Sequence, residues 1–182
     1  MGFPNRVNYA PPLGMPGQRA SVNPTRTAIP GELGHFAGST GVVVGHFAWV
    51  QDDDVTVLNA PPASSPNATP TGFVVRDQNN INLGSVLSQA TMTLYAGNMV
   101  TLHTGGDYFA IGSTGASRGQ AVYASTTDGS IQTGPAGNPP QGTVATGWVV
   151  TRDAPAGSVM IISRAAGPNT PDIPAPTNGS SK

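Results

Sequence analysis

An all-β fold is what this sequence predicts, and three observations predict it. The chain carries 24 glycines and 18 prolines in 182 residues, roughly twice their usual combined share of about 12%, and both residues disfavour helix interiors. Short runs of alternating apolar and polar residues recur through the middle of the chain, the period of a half-buried strand. Turn-forming pairs such as Gly97-Asn98 and Asp128-Gly129 separate those runs. The length suits one such domain with long loops.

Residues 1–34 read as an extended N-terminal arm. Pro4, Pro11, Pro12, Pro16, Pro24 and Pro30 interrupt regular structure every few residues. The segment still carries Phe3, Val7, Tyr9, Leu13, Met15, Val22 and Ile29, and its ionisable side chains before Glu32 are Arg6, Arg19 and Arg26, all positive. One reading is a disordered leader. The other is an arm that orders along a neighbouring subunit, its apolar side chains in grooves and its arginines on acidic patches.

Residues 35–165 form the β body. Strands are expected at Gly41 to Val50, Val55 to Leu58, Gly72 to Arg76, Val144 to Thr151 and Ser158 to Ser163. Met92 and Leu94 alternate with threonines, Val100 and Leu102 do the same, and Phe109 with Ile111 follow less cleanly. With Gly97-Asn98 and Gly105-Gly106 as punctuation, residues 91 to 112 predict a three-stranded meander. Asp128-Gly129 predicts a hairpin between Ala121–Ala124 and Ser130–Gln132. Between Ser85 and Ala96 there is room for about one helical turn.

Two stretches of the body look alike. Thr71-Gly72-Phe73-Val74-Val75 recurs as Thr146-Gly147-Trp148-Val149-Val150, each after a Pro-rich loop and, before that, a strand bearing Trp49 or Tyr123. Such a pair fits a sandwich of repeated Greek-key elements, with chance likeness among β-rich segments as the competitor. Trp49, Phe73 and Trp148 sit inside strand patterns and read as core aromatics. Residues 166–182, rich in proline and polar side chains, read as a flexible tail that buries too little to offset its ordering entropy.

Charge narrows the function. Only 9% of residues are charged, the one lysine is Lys182 and the one glutamate is Glu32, against about 25% charged in an ordinary soluble domain. A freely diffusing protein keeps itself soluble with a mixed charged surface, so this composition predicts an exterior that lies against other molecules. A net charge of -1 gives no electrostatic footprint for nucleic acid. The N-terminal stretch lacks an export signal's apolar run, and no segment is long and apolar enough to span a membrane. With no cysteine, disulfides and thiolate metal sites are excluded.

Chemistry-bearing motifs are few. Gly115-Ala116-Ser117-Arg118-Gly119 matches the G-x-S-x-G nucleophile pattern, but the following residues read as a strand, where the elbow needs a helix. His35, His46 and His103 share no metal-ligand spacing. Asp52-Asp53-Asp54 lacks the alternation of a calcium loop and reads as an exposed acidic turn, able to receive an arginine from a neighbouring subunit. Asn67-Ala68-Thr69 and Asn178-Gly179-Ser180 fit the glycosylation pattern without an export signal to use it. No catalytic residue, metal or cofactor is expected.

Six fragments then occur in an order that resembles the structural cement, or capsid decoration, proteins of tailed bacteriophages. They are Ala20-Ser21-Val22-Asn23-Pro24, Gly45-His46-Phe47-Ala48-Trp49, Thr71-Gly72-Phe73-Val74, Val100-Thr101-Leu102 with Gly106-Asp107-Tyr108-Phe109, Gly119 to Ala124, and Thr146-Gly147-Trp148. The resemblance implies a jelly-roll-like β-sandwich or barrel that binds the outer capsid surface in the virion. It implies the major capsid protein and further copies of the chain, in a homodimer or homotrimer, as partners, and assembly in the host bacterial cytoplasm. Phe3, Arg6, Tyr9, Arg19, Arg26, Asp52, Asp53 and Asp54 are the contact candidates. Two other classes stay open at this point: a carbohydrate- or receptor-binding β module stacking sugars on Tyr95, Tyr108 or Tyr123, and a hydrolase using Ser117.

Overall fold

The computed structural model describes residues 13–76 and 91–165. Among them there is no helix, as the composition predicts. In chain order the strands are β1 (Arg26–Thr27), β2 (Phe36–Ala37), β3 (Val42–Val43), β4 (Phe47–Val50), β5 (Thr56–Leu58), β6 (Gly72–Val74) and β7 (Thr93–Leu94), then β8 (Leu102–Ile111), β9 (Ala121–Ser125), β10 (Ile131–Gly134), β11 (Thr143–Arg152) and β12 (Val159–Arg164). The strands expected at Val55 to Leu58 and at Gly72, Val144 and Ser158 are present, but the single strand expected over Gly41 to Val50 is broken by a turn at residues 44–46 into β3 and β4, which join different sheets. The possible helical turn at Ser85 falls largely outside the described residues.

The large sheet runs β10-β9-β11-β12-β8-β6-β4-β5-β2, with β1 laid on β8. Its order is nearly a palindrome about the β12–β8 seam. On one side the hairpin β4–β5 is followed by β6, which returns to pair with β4; on the other, the hairpin β9–β10 is followed by β11, which returns to pair with β9. The two Thr-Gly-aromatic stretches therefore occupy equivalent places, on β6 and β11. Their equivalence extends to polar anchors: Trp49 Nε1 on β4 donates to Ala68 O (2.8 Å), and the Tyr123 hydroxyl on β9 donates to Pro135 O (2.7 Å). Each aromatic ties down the Pro-rich loop of its own half.

The expected meander over residues 91 to 112 is not formed. β7 pairs with β3, and Gly97-Asn98 makes a turn that leads to a bridge between Met99 and Phe36. Gly105-Gly106 lies inside one continuous strand, β8, whose Leu102 and His103 pair with β6 while residues 106 to 111 pair with β12. The glycine pair is a bend that carries one strand from the first half of the sheet into the second. Gly106 has a φ of 124°, and a Cβ there would stand 2.9 Å from Thr25 Cγ2 and 3.1 Å from Tyr108 Cε2. Glycine is needed for both reasons. The turn chemistry read from sequence was local, and tertiary pairing converted it into a bulge. By contrast, the Asp128-Gly129 hairpin forms as expected, with Ile131 opposite Ala124 and Gly134 opposite Ala121.

Alternation on β4 and β6 builds two cores. Phe47, Trp49 and Phe73 point to one face, where Trp148, Tyr108, Val122, Met160 and Ile162 from the second half meet them. Ala48, Val74 and Leu102 point to the other face, which Val42 of β3 and Leu94 of β7 cover. The result is a β-sandwich with the small β3–β7 ribbon as an added layer. Phe47, Phe73, Tyr108 and Trp148 form one ring cluster, with Phe73 in contact with the other three at centroid separations of 5.4 to 6.0 Å. Tilted and edge-on aromatic pairs of this kind add about 0.5–1.5 kcal/mol each beyond burial. Trp49, Phe73 and Trp148 are core residues, as their strand context predicts.

The remaining backbone closes the body. Gly112 and Ser113 bond along Ile131 of β10, while Asn98 and Val100 bond along His35 and Ala37 at β2. Residues 17–28 run as a strap along β8: Gly17 N donates to Phe109 O (2.8 Å), Ala20 N to Asp107 O (2.9 Å) and Ala28 N to Leu102 O (2.8 Å).

Candidate interaction surface

The strap decides where two of the contact candidates lie. Arg19 is bridged through its backbone to Tyr108, and its guanidinium donates to Asn23 O (3.4 Å) and Thr25 Oγ1 (3.3 Å). Arg26 belongs to β1 and faces Gly105 across the ladder. This part of the arm is thus laid on its own body. Phe3, Arg6 and Tyr9 lie outside the described residues.

Asp107 clasps the strap. Its carboxylate accepts from Ser21 Oγ (2.6 Å) and Asn23 Nδ2 (2.6 Å). Burial alone would raise its pKa, but the hydrogen bonds from Ser163, Ser21 and Asn23 together hold it below the ordinary carboxylate value. Beside it, the Tyr108 hydroxyl is hydrogen-bonded to His103 Nδ1, and burial pushes the phenol up to about 12. Tyr108 therefore stays neutral throughout the physiological range.

The three aspartates form the exposed turn that the sequence predicts, and they diverge. Asp52 accepts from Ser64 of the following Pro-rich loop. Asp53 folds back on its own strand, accepting from Val55 N (3.1 Å) and Thr56 N (2.8 Å), and the Thr56 hydroxyl and these amides lower its pKa. Asp54 closes the turn at a φ of 56°, the single positive value among the described non-glycine residues. No cluster of three metal-ligating side chains occurs among the described residues.

The hairpin tip at Gly129 docks on β4. Phe47 N donates to Gly129 O (2.9 Å), and His46 Nδ1 donates to Asp128 O (3.0 Å). Burial raises and hydrogen bonds from Ser130 and Ser125, with the nearby His46, lower the Asp128 pKa, leaving it below the ordinary value. This contact was missed in the sequence because its partners stand some 80 residues apart.

The residues named for the alternative chemistries are scattered among the described residues. Ser117 lies in an exposed loop, its backbone N–H bonded to Gln120 Oε1 (2.9 Å), ahead of strand β9. His46 and His103 are engaged elsewhere, with Asp128 and Tyr108. Of the three tyrosines proposed for sugar stacking, Tyr108 and Tyr123 are buried in the body and only Tyr95 is exposed. Exposed apolar side chains include Val22 on the strap, Ile29, Leu33 and Met99 on the loops, and Ile111 of β8 and Val149 of β11. No described helix is long and apolar enough to cross a membrane.

The fold and the low-charge surface define an all-β structural domain, and comparison with solved structures finds a likeness to it. A chain from the capsid of Myoviridae phage XM1 superposes with a TM-score of 0.53 at 18% identity, over 90% of this chain and 97% of that one. At that identity the likeness is one of fold. The family is given by sequence: residues 3–164 match the family described as XM1 gp53 minor capsid protein, and the chain belongs to it. It is a phage capsid-associated structural protein and a component of the virion. None of the curated proteins compared matches the chain.

Proposed function

We propose that the protein binds the outer surface of the phage shell and cements adjacent capsomers of the major capsid protein, stabilising the shell against internal pressure. The family match over residues 3–164 carries this reading. Its mechanism is physical: a ligand that binds only the intact joint stabilises that state by its binding free energy. Contacts repeated by symmetry add through high effective concentration, and a homodimer or homotrimer would bring two or three such contacts to each joint.

The low charge supports the reading, since interface cores are depleted of charged residues. So do Val22, Ile29, Leu33 and Met99, which leave large apolar side chains in solvent. Phe3, Arg6, Tyr9, Arg19, Arg26 and Asp52 to Asp54 are the proposed contact residues for shell and subunit.

Particles assembled with and without the protein test this directly. Those lacking it release DNA at a lower temperature, and adding purified protein restores the difference. Equal release temperatures, or failure of the protein to cosediment with expanded shells, would refute the cement role.

A further inference from the structure

Two sets of charged side chains on the described body have no partner in their own fold. The first is at the β4–β5 turn, where Asp52 is held by Ser64 and Asp53 by Val55 and Thr56, while Asp54 has no hydrogen-bond partner among the described residues. Asp54 lines an open groove of about 380 Å³ with Ile29, Pro30 and His35. His35 is only 7% exposed, and its ring nitrogens also have no hydrogen-bond partner among the described residues. A buried imidazole without a partner is costly unless something supplies one. Burial lowers the His35 pKa, against the opposing pull of Asp54, so near pH 7 the ring is neutral and keeps one acceptor nitrogen. A planar guanidinium fork can bond a carboxylate and a ring nitrogen together, and its methylene stem packs on apolar surface such as Ile29 and Pro30 supply.

The second set is a pair of arginines in the other half of the sheet. The loop before β9 runs antiparallel to the end of β11: Ala116 and Ala154 exchange backbone hydrogen bonds (2.8 and 3.0 Å), and Gly119 N donates to Val150 O (2.8 Å). That ladder sets Arg118 alongside Arg152, and both are exposed. Neither guanidinium has a hydrogen bond or ion pair among the described residues, whereas those of Arg19, Arg76 and Arg164 bond their own chain. Asp153 beside them accepts from the Arg118 backbone N–H, which leaves the pair with a net positive charge.

We propose that the Arg118–Arg152 pair of one copy docks on the acidic turn of a second copy, one guanidinium entering the groove at Asp54 and His35. Both surfaces belong to the described body, and within one copy they do not meet. β11 and β5 are separated in the sheet by β12, β8, β6 and β4, and no hydrogen bond or ion pair joins the two sites. Charge complementarity selects the occupant: a turn with three carboxylates and a pair of guanidinia stand unpaired on a chain with only 9% charged residues. This contact rests on the self-association proposed above and names the surfaces that carry it.

Sedimentation of the full-length protein over a concentration range tests the contact. Wild type self-associates, whereas R118E/R152E weakens association at least about tenfold, the scale of a close charge pair at an interface. D54N, which tolerates the left-handed backbone, weakens the association of wild type but strengthens that of R118E/R152E, where Asp54 would face like charge. An equimolar mixture of D52K/D54K with R118E/R152E associates more strongly than either alone, and thermal melts confirm that each variant is folded. Variants that associate like wild type, or a D54N effect of one sign in both backgrounds, would overturn the contact and leave self-association standing. A monomeric wild type would overturn both. Cosedimentation of the same variants with shells reads the cement role separately.

Discussion

The docked hairpin tip gives the sharpest test of the fold. Gly129 combines a φ of 65° with a backbone approach so close that a Cβ would lie 2.0 Å from Phe47 O, 3.0 Å from its carbonyl carbon and 3.1 Å from Asn59 O. In Gly129→Ala the left-handed backbone alone costs about 1–2 kcal/mol. The clash is with main chain, which cannot rotate aside, so the tip must withdraw from β4. Withdrawal breaks the Phe47 N to Gly129 O bond (2.9 Å), about 0.5–1.5 kcal/mol, and the repacking adds about 1–3 kcal/mol. The expected total is about 2.5–6.5 kcal/mol, a large fraction of a domain's usual stability of about 5–15 kcal/mol. Gly119→Ala is the control: its φ is 86° but nothing lies within 4 Å of the new Cβ, so only about 1–2 kcal/mol is lost. Urea unfolding measures both. Equal midpoints for the two variants would refute the claim that the tip is clamped by contact.

The other predictions concern anchors and protons. Tyr123→Phe removes only the hydroxyl bond to Pro135 O; it costs about 1 kcal/mol and speeds amide exchange in residues 135–140 while leaving 60–70 unchanged. Trp49→Phe, which loses the bond to Ala68 O and some volume, gives the converse pattern and costs about 2 kcal/mol. Asp107 has a lowered pKa when folded, so its contribution is present above the unfolded value of about 3.9. That contribution is lost as pH falls through the folded value, and strap amides such as Ala20 lose exchange protection there while Asp107→Asn flattens the dependence. His35 also has a lowered folded pKa; the unfolded chain binds its proton first, and stability declines as pH drops below about 6.5. Thermal melts of wild type and His35→Gln between pH 7.5 and 5 compare the two slopes.

What the sequence disclosed was local. Asp128-Gly129 fixes a hairpin because two residues supply the needed dihedrals, and the Thr-Gly-aromatic pairs reveal equivalent strands because the same inward ring is needed in each half. Gly105-Gly106 carries the same local signal, yet its strand continues, since β6 and β12 claim the residues on either side of the bend. The strap was harder to read. Its ladder on β8 uses backbone groups between prolines, so no side-chain period marks it. Asp54 was visible as part of an acidic turn, but its separation from the other two depends on Ser64, Thr56 and His35, whose positions follow from tertiary pairing. Of the four-ring core, only Phe73 and Trp148 were legible as core aromatics; Phe47 carried no such assignment, and Tyr108, expected as a sugar-stacking candidate, is buried because its strand bends across both halves of the sheet.

The covered margins of the large sheet have a consequence for how the protein meets other molecules. Both terminal strands already spend their outward amides and carbonyls on same-chain segments, β10 on residues 112–113 and β2 on residues 98–100. A second copy is thereby denied the easiest route to uncontrolled polymerisation, edge-to-edge strand addition. Recognition is left to side chains on loops and faces, where specificity can be written one residue at a time.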